Sequence, residues 1–122
     1  MQVISKISEL RARLSSESRV CCVPTMGNIH DGHLSLVRIG KERAPTVVTT
    51  IFVNRLQFGQ GEDFEQYPRT FEDDCEKLEA LGNDIVFCPN EEEMYPEPQV
   101  FFIDPPKVAT RLEGRFRPGH FR

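Results

Sequence analysis

Two histidines, His30 and His33, stand three residues apart at the end of the run Pro24-Thr25-Met26-Gly27-Asn28-Ile29-His30-Asp31-Gly32-His33. That spacing is close to one helical turn, so both rings can face the same side. Imidazoles so placed can hydrogen-bond phosphate oxygens and stabilise charge that develops in a transition state. Gly27 and Gly32 permit a ligand to come close to the backbone. A helix starting here would also leave its first N–H groups without intrahelical partners, which suits an anion. A metal centre is not expected, because no third His or convenient Cys accompanies the pair. A His-x-x-His pair alone is unspecific, and surface or core positions for both rings are the common alternative. Its context is more informative.

The surrounding pattern indicates how such a loop would be held. Ile4, Ile7, Leu10 and Leu14 fall at helical spacing and predict a first amphipathic helix. Residues 19–23 read as a buried strand that ends at Pro24, and residues 32–43 as a helix closed by Pro45. Residues 46–53 are β-branched and nearly uncharged, as expected of a strand covered on both faces. Residues 54–68 read as a long loop. Thr70 is the expected N-cap of the next helix, with Asp73 returning the bond. The buried stripe of that helix would be Phe71, Cys75, Leu78 and Leu81, with Gly82 at its end. A third strand at 84–88, a possible fourth at 100–103 and a short helix at 108–112 complete the reading. Alternating strands and helices predict an α/β fold, a Rossmann-like parallel sheet with helices on both faces. Ligands of such sheets gather at the carboxyl ends of the strands, where the histidine loop lies.

Composition narrows the function classes. The chain has 122 residues, 15 Lys+Arg against 19 Asp+Glu, a formal charge of −4 and 39% hydrophobic residues. These values fit an ordinary globular domain and argue against disorder. No apolar run approaches the length of a membrane-spanning helix, and residues 1–14 alternate apolar with charged positions, unlike a signal peptide or anchor. A net acidic chain does not suit general nucleic-acid binding. Most acidic residues fall between Glu62 and Glu97, opposed only by Arg69 and Lys77, whereas the stretch from Lys107 to Arg122 is basic. That tail can meet a phosphate or carboxylate, or stay solvated. Cys21, Cys22, Cys75 and Cys88 lack metal-site or disulfide spacing, so reduced thiols in a cytoplasmic protein are expected.

The stretch from Pro24 to His33 resembles the His-x-Gly-His motif of the nucleotidyltransferase superfamily. A longer set of motifs, PTMGNIHDGHLSLV, TIFVNRLQFGQGEDFEQYPRT, DIVFCPNEEEMYPEP and LEGRFRPGHF, is similar to the pantoate–β-alanine ligase (pantothenate synthetase) family over nearly the whole chain. Four motifs in order are far more specific than the histidine pair. The resemblance implies that pantoate attacks the α-phosphorus of ATP to give pantoyl adenylate and pyrophosphate, normally with magnesium, for which no protein ligand is assigned. The amine of β-alanine then displaces AMP to form pantothenate.

By the same resemblance, Met26, Gly27, Asn28, Ile29, His30, Asp31, Gly32 and His33 would line the ATP site. His33 would be the catalytic histidine, a role assigned in the family to a proton donor, and His30 would assist at the phosphates. Charge stabilisation is the physically preferred role, since a carboxylate nucleophile has no proton to give up at neutral pH. Gln57, with Asn54 beside it, would hold pantoate, and Gln57 would also bind β-alanine. An amide carries both a donor and an acceptor, so Gln57 can hold a hydroxyl and a carboxylate together. Tyr67 either borders the pantoate pocket or helps cap the following helix. Met94-Tyr95-Pro96 reads as packing, and Arg115, Arg117 and His120 could steer an anionic substrate. Arg55 stands where many family members have Pro.

The family pattern continues past this point with Gly-x-Lys-Asp and Met-Ser-Ser-Arg segments and a smaller C-terminal lid domain. None of these occurs in residues 1–122. The expectation is an incomplete N-terminal ATP- and pantoate-binding domain with little ligase activity by itself, from an enzyme that is a homodimer when complete. A non-catalytic nucleotide- or pantoate-binding module is the alternative. A nucleotidyltransferase acting on pantetheine phosphate would keep the histidines but have no use for Asn-Arg-Leu-Gln-Phe followed by Tyr-Pro-Arg.

Overall fold

The computed structural model describes residues 1–58 and 64–122. Residues 59–63, part of the expected loop, lie outside the described residues. The β-branched run forms β3 (Thr46–Ile51), whose alternate side chains enter two separate cores. Val47 faces one and Val48 the other. Three further strands complete a four-stranded sheet in the order β1-β4-β3-β2: β1 (Gln2–Ile4), β2 (Val20–Thr25) and β4 (Ile85–Phe87). All three strand pairings are parallel, with Val48 opposite Cys22 on one side and Ile85 on the other.

Helices cover both faces, as expected. On one face, Ile7, Leu10 and Leu14 of α1 (Ile7–Leu14) pack against Ile4, Val48, Ile85 and Phe87. On the opposite face, Val37 of α2 (Asp31–Arg43) and Leu78 of α3 (Phe71–Ala80) close over Val23, Val47 and Val86. Leu78 is completely buried, worth about 1.5–3 kcal/mol relative to leaving it in water. Cys21 packs against this second core while Cys22 is exposed, and all four cysteines are free.

Several local expectations are corrected. The first helix begins at Ile7, because Gln2–Ile4 pairs with β4 instead. Pro24 does not end β2 but lies inside it. Thr25 turns its N–H and its C=O toward β3, so Pro24 faces the open edge, where the missing N–H costs no ladder bond. β3 stops at Ile51, two residues early. The loop after it contains 3-10 turns at Arg55–Gln57 and Phe64–Gln66. Thr70 is the N-cap of α3 but makes no side-chain cap bond. Its hydroxyl donates to Asp74 Oδ2 at 3.1 Å, a nearby buried acceptor. Phe71 remains 39% exposed, and Asp74, fully buried, belongs to the inward face of α3.

Beyond β4 lie α4 (Glu91–Met94) and α5 (Glu113–Phe116). Residues 100–103 form no strand, since no described strand lies alongside to supply ladder bonds, and Phe101 and Ile103 are exposed. In place of the helix expected at 108–112 there is a 3-10 turn at Lys107–Thr110, and the positive φ of Leu112 (48°) prevents its continuation.

Candidate functional site

The histidine loop runs from the end of β2 to the start of α2 and is shaped by three anchors. Thr25 Oγ1 donates to the Thr50 carbonyl at 2.7 Å and accepts from the Gly27 N–H at 3.1 Å. Gly27 (φ 81°) and Asn28 (φ 53°) then take left-handed backbone conformations, which glycine and asparagine tolerate best. Asp74 on α3 receives the turned loop: its Oδ2 accepts from the Asn28 N–H at 2.8 Å and its Oδ1 from the Ile29 N–H at 2.7 Å. Lys77, one turn further along α3, donates to the Ile29 carbonyl at 3.0 Å.

Those anchors set the two rings. His30 is the N-cap of α2, and its Nδ1 accepts from the Gly32 N–H at 3.1 Å. His33 returns the bond more loosely, its Nδ1 accepting from the His30 N–H at 3.4 Å. The ring centroids are 4.0 Å apart. A nitrogen that accepts from a backbone N–H carries no proton, so each neutral ring keeps its proton on Nε2, turned away from the cap. Burial, and then the adjacent His30, hold the His33 imidazole below its ordinary value of 6.5, while Asp74 pulls the other way. The arrangement favours a neutral His33 imidazole acting as an Nε2–H donor.

The same bonds correct the anion-nest expectation in part. The N–H groups of Asn28, Ile29, His30 and Gly32 are already engaged inside the protein. Ile29 is also buried in its side chain, so it supports the loop from within.

Asn54, Gln57 and Tyr67 come to the same end of the sheet. Together with Met26, His33 and Thr25 they line a cavity of about 460 Å³. The histidine and both amides thus share one space. A second cavity, about 290 Å³, is lined by Met26 and Gly27 together with Ile51, Phe71 and Asp74. Asn28, Ile29, His30, Asp31 and Gly32 line neither cavity.

Asn54 is fixed by its own oxygen. Its Oδ1 accepts from the Leu56 N–H at 3.2 Å and from the Tyr95 hydroxyl at 3.3 Å, leaving the amide nitrogen as the group to offer a ligand. Tyr95, read from sequence as packing, does pack on Phe52 (centroids 6.2 Å apart) and orients Asn54 as well. Asp74 and Lys77 escape a sequence reading because they lie in an acidic stretch that looks like a solvated face. The signal that could have found Asp74 is position: it falls three residues after Phe71 and four before Leu78, on the apolar side of the helix.

Among the described residues no group of three or more His, Cys, Asp or Glu side chains converges to hold a metal ion. Both Asp74 oxygens already accept hydrogen bonds. The described residues therefore do not form a carboxylate set that fits a protein-bound magnesium ion. Among the same residues no helix is long and apolar enough to cross a membrane.

The family model of pantoate-beta-alanine ligase matches residues 2–122. The chain belongs to the pantoate-beta-alanine ligase family. It is 57% identical over 122 residues to the pantothenate synthetase of Neisseria meningitidis serogroup C, covering 99% of this chain and 44% of that protein. Against the enzyme of the same name from Methylobacillus flagellatus the identity is 55% over 121 residues, with the same coverage. The crystal structure of pantothenate synthetase from Thermus thermophilus superposes with a TM-score of 0.92 at 45% identity, over 99% of this chain and 44% of that one. Pantoate-beta-alanine ligase from Francisella tularensis, complexed with beta-gamma ATP and beta-alanine, gives a TM-score of 0.91 at 35% identity, over 99% and 48%. The chain thus spans less than half the length of each of these relatives. Within the pantoate-beta-alanine ligase family the fold expected from sequence, a parallel α/β sheet, is the fold found.

Proposed function

We propose that this chain supplies the ATP- and pantoate-binding part of an ATP-dependent ligase that joins pantoate to β-alanine, giving pantothenate, AMP and pyrophosphate. One observation carries the reading: His33, Asn54, Gln57 and Tyr67 line a single cavity at the carboxyl end of the sheet. It is supported by the relatives' names and by the Francisella tularensis complex.

In this reading the Nε2–H groups of His30 and His33 donate to ATP phosphate oxygens, and Met26 and Gly27 supply the wall beside them. Asn28, Asp31 and Gly32 border the nucleotide, and Ile29 keeps the loop in shape. Gln57 and the Asn54 amide nitrogen hold pantoate, with Tyr67 at the rim. A pantoate carboxylate oxygen bonds to the α-phosphorus as the bond to pyrophosphate breaks. Negative charge moves onto the phosphates, and neutral donors fixed beforehand stabilise it without a proton transfer. The β-alanine amine, held near Gln57, then attacks the acyl carbon, loses a proton and releases AMP. Magnesium would accompany ATP, with no ligand assigned to it among the described residues. A cytoplasmic setting belongs to the proposal, supported by the four free cysteines. A homodimeric whole enzyme rests on the family resemblance alone.

Calorimetric titration of the 122-residue chain with ATP, pantoate and pantetheine phosphate tests the reading. The expected result is binding of ATP and pantoate but not pantetheine phosphate. Gln57→Ala should weaken pantoate by about tenfold or more, as for loss of hydrogen bonds to a charged ligand, and leave ATP unchanged. Pantoate affinity untouched by Gln57→Ala would remove Gln57 from the site.

A further inference from the structure

The basic tail, which by its sequence could steer an anionic substrate, reaches the pantoate side of the cavity through the backbone of Gln57. The Gln57 carbonyl accepts from Arg117 Nη2 at 3.0 Å, and His120 Nδ1 lies 3.0 Å from the same oxygen. These contacts span 60 and 63 residues of sequence. Arg117 Nη1 also stands 3.5 Å from His120 Nε2. A guanidinium has only donors, so a bond between the two side chains makes Nε2 the acceptor and puts the imidazole proton on Nδ1. That proton points at Gln57. Two tail donors thus meet the two lone pairs of one carbonyl. Gly119 (φ 85°) turns the chain so that His120 faces back, and Phe121 packs edge-on against its ring at 4.8 Å.

The other end of the Gln57 residue is also held, its N–H donating to the Asn54 carbonyl at 3.0 Å. Gln57 sits in a single 3-10 turn and its side chain is exposed to the cavity, so little else fixes its direction. We propose that Arg117 and His120 are positioning residues that clamp the Gln57 carbonyl and thereby aim its amide at the hydroxy-carboxylate substrate. The inference rests on the pantoate reading above. The tail acts through Gln57 and not by touching the anion.

The test compares His120→Ala, His120→Asn and Arg117→Met in the 122-residue chain, reading affinities for pantoate and ATP by calorimetry and the Gln57 carbonyl carbon and His120 ring nitrogens by NMR. An asparagine amide can place an N–H where Nδ1–H stood, so His120→Asn should stay within about twofold of the parent for pantoate. His120→Ala and Arg117→Met should each weaken pantoate by about five- to tenfold, as for loss of one hydrogen bond to the Gln57 carbonyl, with ATP affinity unchanged. The parent ring should carry its proton on Nδ1, and the Gln57 carbonyl signal should move in both disrupting variants. Equal losses for ATP and pantoate, or an asparagine variant no better than alanine, would overturn the clamp. If the parent binds ATP but no pantoate, the substrate reading fails by itself. The clamp then stands or falls on whether the Gln57 signal moves in His120→Ala.

Discussion

Asp74 on α3 and Ile29 in the histidine loop are joined by a 2.7 Å hydrogen bond from the Ile29 N–H to Asp74 Oδ1. The second carboxylate oxygen accepts from Asn28, so one fully buried side chain holds two consecutive peptides of the loop that carries His30 and His33. The histidine loop is therefore held by a helix that contributes no residue to the cavity shared by His33, Asn54 and Gln57, although Phe71 and Asp74 line the second one.

Removing that anchor has a foreseeable cost. Asp74→Ala leaves two backbone donors without their acceptor, at about 1–3 kcal/mol for each one that stays buried. Loss of about 2–5 kcal/mol in urea unfolding is expected, with weaker ATP binding. Asp74→Asn keeps the shape but turns an NH₂ toward one of the two N–H groups, so it should lose much of the same stability. A variant as stable as the parent would mean that water replaces the carboxylate without cost.

Gly27→Ala tests the turn itself. A methyl group would sit 3.1 Å from Asp74 Oδ2 and 3.2 Å from Ile51 Cγ2, on a backbone at φ 81°. The left-handed conformation alone costs a non-glycine residue about 1–2 kcal/mol, and the two close contacts add to it. Thermal unfolding should fall by several degrees. The Asn28 and Ile29 amide signals should shift with it, as their bonds to Asp74 lengthen.

His33 should titrate below 6.5 in an NMR experiment on its ring protons, because burial and His30 disfavour its charged form. The unfolded chain then takes up this proton first as pH falls. The associated stability is complete above 6.5 and declines as pH drops through that value toward the lower folded one. Protonation of Nδ1 would also oppose its bond from the His30 N–H. A midpoint above 6.5 would contradict the neutral-donor assignment.

Much of this architecture is legible in residue order. The β-branched run at 46–51, the stripe containing Cys75 and Leu78, and the turn residues after Val23 declare a strand, a helix and a loop by local chemistry. The short β1 is not declared, since Ile4 and Ile7 share a helical spacing that also suits a strand followed by a helix. Only pairing with β4 decides it. Pro24 misleads for a related reason: its effect depends on whether the strand is an edge, a property of the sheet and not of the strand. At the site, His33, Asn54 and Gln57 could be named from their types and from family resemblance. Their supports could not, because Asp74, Tyr95, Arg117 and His120 act across 41 to 63 residues of sequence. No periodicity records such contacts.

Tyr95→Phe separates packing from orientation at Asn54. The ring contact with Phe52 survives this change, while the hydroxyl that donates to Asn54 Oδ1 is lost. The Leu56 N–H remains on the same oxygen, so the 3-10 turn is kept and the stability loss should be about 0.5–1.5 kcal/mol. Asn54 keeps one of the two bonds to its Oδ1, so its amide is held less tightly and the nitrogen facing the cavity is less well placed. Pantoate affinity should therefore fall by a few-fold, with ATP affinity at the parent value. Tyr95→Leu should lose both the bond and the edge of the ring contact, with a larger drop in stability. If Tyr95→Phe binds pantoate as the parent does, the tyrosine serves packing alone, and Asn54 is held well enough by Leu56.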